Sequence, residues 1–264
     1  MDDLDDTSSS SKTGILSRAT TLLELVAAHV DGVGVRDAAR RTGIDRSAVS
    51  RILTHLEEIG YVEQQHDRGV YVAGPRLFSL VASLAERDSV TKAARPFLKG
   101  LVHRFNETCY VATRLDDGLI FRSKIDCEHR IRYVIEMGKQ FPLVSGAAGA
   151  AILSGLTEEE LVPILDQPFI ISTQSSFTSA DEIRAQLKID RELGYTYSPG
   201  RWVPNGAGIS APFFDAGGRC AGSITLSCPM DRLVQMSVEE IGTAVSQAAH
   251  ELSLRLGFVP GLAS

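Results

Sequence analysis

The stretch from Asp45 to Gly60, Asp-Arg-Ser-Ala-Val-Ser-Arg-Ile-Leu-Thr-His-Leu-Glu-Glu-Ile-Gly, restricts the possible folds of this chain more than any other. At helical spacing it places Val49, Ile52, Leu53, Leu56 and Ile59 on one side, the stripe of a helix that packs on a core. The other side carries Ser47, Ser50, Arg51 and Thr54, with no large apolar residue among them. Such a face suits base edges and phosphates, and it also describes an ordinary solvated helix. The neighbouring residues decide. Val35–Gly43 reads as a short helix ending at a glycine able to take the left-handed conformation; Ile44 follows as an apolar plug, and Asp45 can cap the next helix. This is helix-turn-helix spacing, in which the second helix enters the major groove.

Arginine clusters in the same pair of helices, at Arg36, Arg40, Arg41, Arg46 and Arg51, whereas Glu57 and Glu58 stand at the far end. Gly60 ends the helix. Tyr61–Gln65 then alternates as a strand, His66-Asp-Arg-Gly69 turns, and Val70–Val72 returns, a hairpin wing with Arg68 at its tip. The residues expected to meet DNA are Arg36, Arg46, Ser47, Ser50, Arg51, Thr54, His55 and Arg68.

The remaining chain falls into order around this unit. Residues 1–13, acidic and then serine-rich, read as a disordered tail, and Ser17–Val30 as a first helix with Ser17 as N-cap. The winged unit spans 14–75. An amphipathic segment over 76–90, with Leu77, Phe78, Leu80, Val81 and Leu84, is too apolar for a free linker and calls for a partner subunit. A second domain is expected over 91–257 and a short tail over 258–264. Its elements begin with a helix from Pro96 to Phe105, a hairpin of Thr108–Leu115 and Leu119–Ile125 across an Asp-Asp-Gly turn, and a strand at Ile131–Ile135. Phe141–Leu153 reads as a helix with a glycine- and alanine-rich start, which lets backbone approach another helix or a ligand. Helices near Thr157–Leu165 and Ala180–Leu193, strands at Tyr195–Ser198, Ala207–Phe214 and Arg219–Ser227, and a helix over Val238–Leu256 complete the pattern.

Bulk properties narrow the function. The 264 residues suffice for two domains, and a net charge of −6 excludes binding of polyanions by overall charge, so any nucleic-acid surface is local. The four cysteines form no Cys-x-x-Cys pair and read as reduced thiols. The acidic start lacks a leader pattern and no apolar run reaches membrane-spanning length, so a cytoplasmic protein with no membrane partner is expected. No nucleophile elbow, phosphate-binding loop, zinc motif or dinucleotide fingerprint occurs, and the six histidines are scattered. Neither catalytic residues, a metal nor a cofactor is expected. The rival reading is an enzyme carrying the winged helix as an interaction module. Ser223, Thr225 and Ser227 alternate along one strand and put hydroxyls on one sheet face; facing solvent they are unremarkable, but facing Ser145–Gly149 they outline an anion-sized pocket.

Arg18–Leu25, Ala38–Ile44, Ser47–Val62 and Tyr71–Leu77, together with Pro142–Leu153, Gly194-Tyr195 and Gly208–Asp215, resemble the IclR family of bacterial transcription regulators. The resemblance implies an α/β (α+β) protein, a winged helix-turn-helix followed by a GAF/PAS-like effector-binding domain whose antiparallel sheet is flanked by helices. It implies a palindromic operator, a dimerising linker helix, homodimers that often pair into tetramers, and a small-molecule effector. Carried over by position, the family's effector pocket falls on Ser145, Ala148, Gly149, Ser198, Gly208, Thr225 and Ser227. The usual acidic segment after Gly194-Tyr195 is here Ser198-Pro-Gly-Arg201, and a frequent lysine is Ala150. With Arg201 near and Tyr110, Met137 and Trp202 as apolar walls, the expected effector is a small organic acid, aromatic in one version.

Overall fold

The computed structural model describes residues 7–260, and the chain divides after Asp88 into two compact units. In the first, helix α1 (Thr7–Ala27) is followed by α2 (Val35–Thr42), α3 (Arg46–Glu58), strands β1 (Val62–Gln65) and β2 (Val70–Ala73), and α4 (Pro75–Arg87). Three local devices set this order. Gly43 takes φ 69° and returns its N–H to Ala39 O, ending α2. The Asp45 carboxylate then accepts from the N–H groups of Ser47 and Ala48 to start α3. Gly60, at φ 79°, releases the chain into the wing, whose strands pair from Val62↔Ala73 to Gln65↔Val70. Leu22, Val26, Ala38, Val49, Leu53, Leu56, Val62 and Tyr71 form the core.

Expectation and structure part at both ends of α1. The helix already runs from Thr7, inside the segment read as a disordered tail, whereas residues 1–6 lie outside the described residues. Ser17 is therefore an interior residue and no cap; its carbonyl accepts from Thr20 and Thr21 Oγ1, the back-bonding by which hydroxyls are accommodated inside helices. Val30, expected on the helix, lies past its end and is 95% exposed. On α4, Phe78, Leu80 and Val81 are 65%, 45% and 61% exposed.

The second unit is a six-stranded antiparallel sheet with helices on both faces. In chain order its elements are α5 (Ser89–Phe105), β3 (Thr108–Leu115), β4 (Gly118–Ile125), β5 (Gln140–Pro142), α6 (Gly146–Ser154), α7 (Glu158–Leu165), α8 (Ala180–Leu193), β6 (Thr196–Pro199), β7 (Gly206–Phe214), β8 (Cys220–Pro229), α9 (Met230–Leu233) and α10 (Val238–Arg255). The strands lie in the order β5-β4-β3-β8-β7-β6. Strand alternation divides the core: Cys109, Val111, Ile224, Leu226 and Cys228 face α5 and α10, whereas Tyr110 and Ala112 join Leu119 and Phe121 under α6, α7 and α8.

Three readings need correction. Pro96 lies inside α5, which starts at Ser89; burial of Ala94, Leu98 and Leu101 offsets the missing helix hydrogen bond. Residues 131–135 form no strand, because side chains rather than a ladder hold this segment: Arg232 donates to Ile131 O and Tyr110 Oη to Tyr133 O. The helix expected from Phe141 begins at Gly146; Gln140–Pro142 instead pair with Gly118–Ile120 as an edge strand, a place where proline is tolerated. At the C-terminal end Phe258, assigned to a tail, stacks on Phe214 with ring centroids 5.4 Å apart.

Candidate functional site

The first unit gathers the residues expected to meet DNA on and beside α3. Arg36, Arg46, Ser47, Ser50, Arg51, Thr54, His55 and Arg68 are all exposed. They are not equally available. The Ser47 hydroxyl donates to Asp45 at 2.5 Å and so serves the cap, and this bond is the main cause that holds the Asp45 carboxyl below its ordinary range. His55 Nδ1 meets Glu58 at 3.2 Å, and Arg68 donates to Gln65 at 3.4 Å. Two of the five clustered arginines are engaged on their own helix: Arg40 and Arg41 pair with Asp37 at 2.5 and 2.7 Å, and together they lower the Asp37 pKa, Arg40 contributing most. Among the described residues, the guanidinium groups of Arg36, Arg46 and Arg51 make no hydrogen bond or ion pair, which leaves three uncommitted cations around the helix-turn-helix.

In the second unit, register brings the hydroxyls together. Ser198 on β6 lies opposite Gly208 on β7, and Gly208 opposite Ser227 on β8. One row along, Ser210 lies opposite Thr225, their hydroxyl oxygens 2.8 Å apart. This face looks onto the N-terminal turn of α6, as the pocket reading required. Gly208 makes the approach possible, because a Cβ there would stand 2.7 Å from Ala147 Cβ. Between sheet and helix opens a cleft of about 650 Å³, including its mouth.

Of the seven expected effector residues, Ser145, Ala148, Ser198, Gly208, Thr225 and Ser227 line this cleft. Gly149 does not. Its missing side chain makes room for the neighbouring backbone, since a Cβ would fall 2.0 Å from Leu143 O. Ser223 is also withdrawn, donating to Ala148 O at 3.1 Å. Of the expected walls, Trp202 lines the cleft with Phe141, their ring centroids 5.6 Å apart. Tyr110 is fully buried behind it, with burial pushing its hydroxyl up to about 12, and Met137 does not line it. Arg201 also points elsewhere: its guanidinium lies 4.1 Å over the Phe177 ring and donates to Gln186 at 3.1 Å, with burial lowering its pKa.

Sequence reading missed Leu119, Phe121, Tyr133, Ile135 and Phe141 as walls. The apolar alternation of β4 carried a signal for Leu119 and Phe121; nothing local marked Tyr133. That residue straps the mouth, donating from Oη to Pro204 O at 3.1 Å. Its segment is clasped at Ile131 O by Arg232, which pairs with the buried Glu107, Nη2 to Oε2 at 2.7 Å.

The polar end of the cleft holds two unpaired groups. Ser145 Oγ and Ser198 Oγ are buried and have no hydrogen-bond partner among the described residues. Beside them α6 starts without a side-chain cap, leaving first-turn N–H groups open to an acceptor. Among the described residues lining the cleft, Tyr133 is the single titratable one. An apolar slot ending in neutral donors accommodates a small molecule with an aromatic body and an acceptor at one end.

Comparison with known proteins places the chain in a family. Residues 15–66 match the family model for the IclR helix-turn-helix domain, and residues 82–254 match the model for the bacterial transcriptional regulator IclR C-terminal region. The chain belongs to the IclR family of bacterial transcriptional regulators. As an IclR-family member it is a DNA-binding regulator of transcription with an effector-binding C-terminal region. It is 26% identical over 245 residues to the Transcriptional repressor IclR of Escherichia coli K12, covering 92% of this chain and 89% of that one. The crystal structure of Thermotoga maritima IclR superposes with a TM-score of 0.78 at 23% identity, covering 93% of this chain and 100% of that chain. An IclR homolog from Microbacterium hydrocarbonoxydans, complexed with 4-hydroxybenzoate, gives a TM-score of 0.78 at 21% identity, covering 92% and 98%. No helix among the described residues is long and apolar enough to cross a membrane.

Proposed function

We propose that this chain is a cytoplasmic, homodimeric regulator, able to pair further into tetramers, that reads a palindromic operator through residues 14–75. Residues 76–90 would serve as the dimerising linker and residues 91–257 would sense a small aromatic carboxylic acid. The observation that carries the effector reading is the pair of buried, unpartnered hydroxyls, Ser145 and Ser198, beside the open N-terminus of α6. A carboxylate placed there satisfies both hydroxyls and gains from the helix dipole, while Phe121, Phe141 and Trp202 hold the ring. The 4-hydroxybenzoate complex of a structural neighbour supports this class of ligand. The uncommitted Arg46 and Arg51, with Ser50 and Thr54, would face the major groove, Arg36 and Arg68 the phosphates, and the exposed Phe78 and Val81 on α4 the partner subunit.

A thermal-shift titration with 4-hydroxybenzoate, other aromatic acids and their neutral amides tests the effector reading. A ligand that binds only the folded state at a hundred times its Kd stabilises by about 2.7 kcal/mol. The acids should raise the melting temperature and the amides should not. Equal stabilisation by acids and amides, or none by either, would overturn it.

A further inference from the structure

The junction between α3 and α4 is closed by two backbone hydrogen bonds and by the side chain of Arg76. Helix ends leave carbonyls and N–H groups without intrahelical partners, and here one residue serves both ends. Arg76 N donates to Gly60 O at 3.0 Å, joining the start of α4 to the end of α3, and Arg76 Nη1 donates to Ile59 O at 3.3 Å. Its guanidinium also lies over the Tyr61 ring, 5.4 Å from the centroid. Gly74 N donates to Tyr61 O at 2.9 Å, and backbone lies so close to backbone that a Cβ on Gly74 would stand 2.6 Å from Gly60 O. Pro75 at the first turn of α4 has no N–H to leave unpaired. Arg76 itself is exposed and lies outside the core of Leu22, Val49, Leu53 and Val62.

We infer that Arg76 is a positioning residue for operator recognition: it holds α4 to the end of α3 so that the two helices turn as one piece, and thereby sets the half-site spacing a dimer accepts. The inference rests on the proposed dimer. In a two-fold complex, half-site separation is a geometric consequence of how each recognition helix is aimed from the dimer contact. With α4 as the linker, any play at its joint with α3 becomes play in that separation.

The test uses the full chain and a palindrome selected from random-sequence DNA, rebuilt with its half-sites moved by one or two base pairs. Wild type should lose about tenfold or more in affinity away from the preferred spacing. Arg76→Ala should flatten that profile to within about threefold while binding an isolated half-site unchanged, and Arg76→Lys, which keeps a donor for Ile59 O, should restore part of it. An unchanged profile, or a uniform loss at every spacing, overturns the inference. Amide exchange in the absence of DNA reads the joint separately: in Arg76→Ala, protection at residues 74 and 76 should fall while Val49 and Leu53 keep theirs. Unchanged protection at the joint overturns the clasp even if no DNA site is selected, whereas failure to select any site counts against the regulator reading itself.

Discussion

Replacing Ser198 with alanine should make the ligand-free protein more stable and the sensor less sensitive. Ser198 is 3% exposed, and its hydroxyl oxygen is buried with no partner, although the residue sits on a paired strand. A buried polar group left unsatisfied costs about 1–3 kcal/mol, and replacing it with an apolar group of similar shape removes that cost. Ala207 and Gly208 already pack closely around the strand, so the alanine methyl needs no new space. The expected gain is about 1 kcal/mol, or about 2–4 °C in melting temperature for a unit of this size. The loss appears on ligand addition. A hydrogen bond to a charged group contributes about 1.5–3 kcal/mol, so an aromatic acid should bind Ser198→Ala more weakly by roughly tenfold to a hundredfold. Calorimetric unfolding without ligand and titration of the fluorescence of Trp202, the one tryptophan of the chain, read the two effects independently. A variant less stable than wild type would show the hydroxyl to be structural, and an unchanged ligand affinity would remove it from the site; either result refutes the reasoning.

Gly149→Ala should destabilise by about 1–3 kcal/mol through the clash with Leu143 O, measured as a lower melting temperature, because the obstructing atom is backbone and cannot rotate away. Arg51→Ala should cost about 1–3 kcal/mol of binding and relax specificity at one base pair, whereas Arg40→Ala, which frees Asp37 from one of its two partners, should leave base preference as it is; competition binding against single-site operator variants separates them. Burial raises the Asp190 carboxyl above its ordinary 3.8, against the opposing bonds from Thr196 and Gln186. Stability from this group is therefore full below pH 3.8 and lost as pH rises through the higher folded value. The melting temperature of Asp190→Asn relative to wild type should climb as pH rises above 3.8, and a flat difference would contradict the shift.

What the chain says locally, it says clearly. Asp45 as a cap and Gly43 as a left-handed stop were legible because both act within four residues of themselves. The alternation of Ser223, Thr225 and Ser227 was legible for the same reason: side-chain direction along a strand has a period of two. The two halves of the chain together were legible as an IclR-family regulator, and the family models agree. The limits appear where a side chain has a choice of partners. A count of five arginines could not show that Arg40 and Arg41 would turn to Asp37, and a motif could not show that Arg201 would lie over Phe177 rather than face the cleft.

The sequence by itself therefore determined the order of helices and turns in the winged unit, the hydroxyl-bearing face of β8 and the small-residue start of α6. Tertiary structure alone decided that Gly149 gives way to the Leu143 backbone while Gly208 gives way to α6, and that Tyr133 lines the cleft. It also left two hydroxyls without partners. The physical reason is range. Caps, turns and alternation are settled between near neighbours, whereas a cleft is assembled from β4, α6, β6, β7 and β8, whose relative depth and register depend on how closely the whole sheet can pack against its helices.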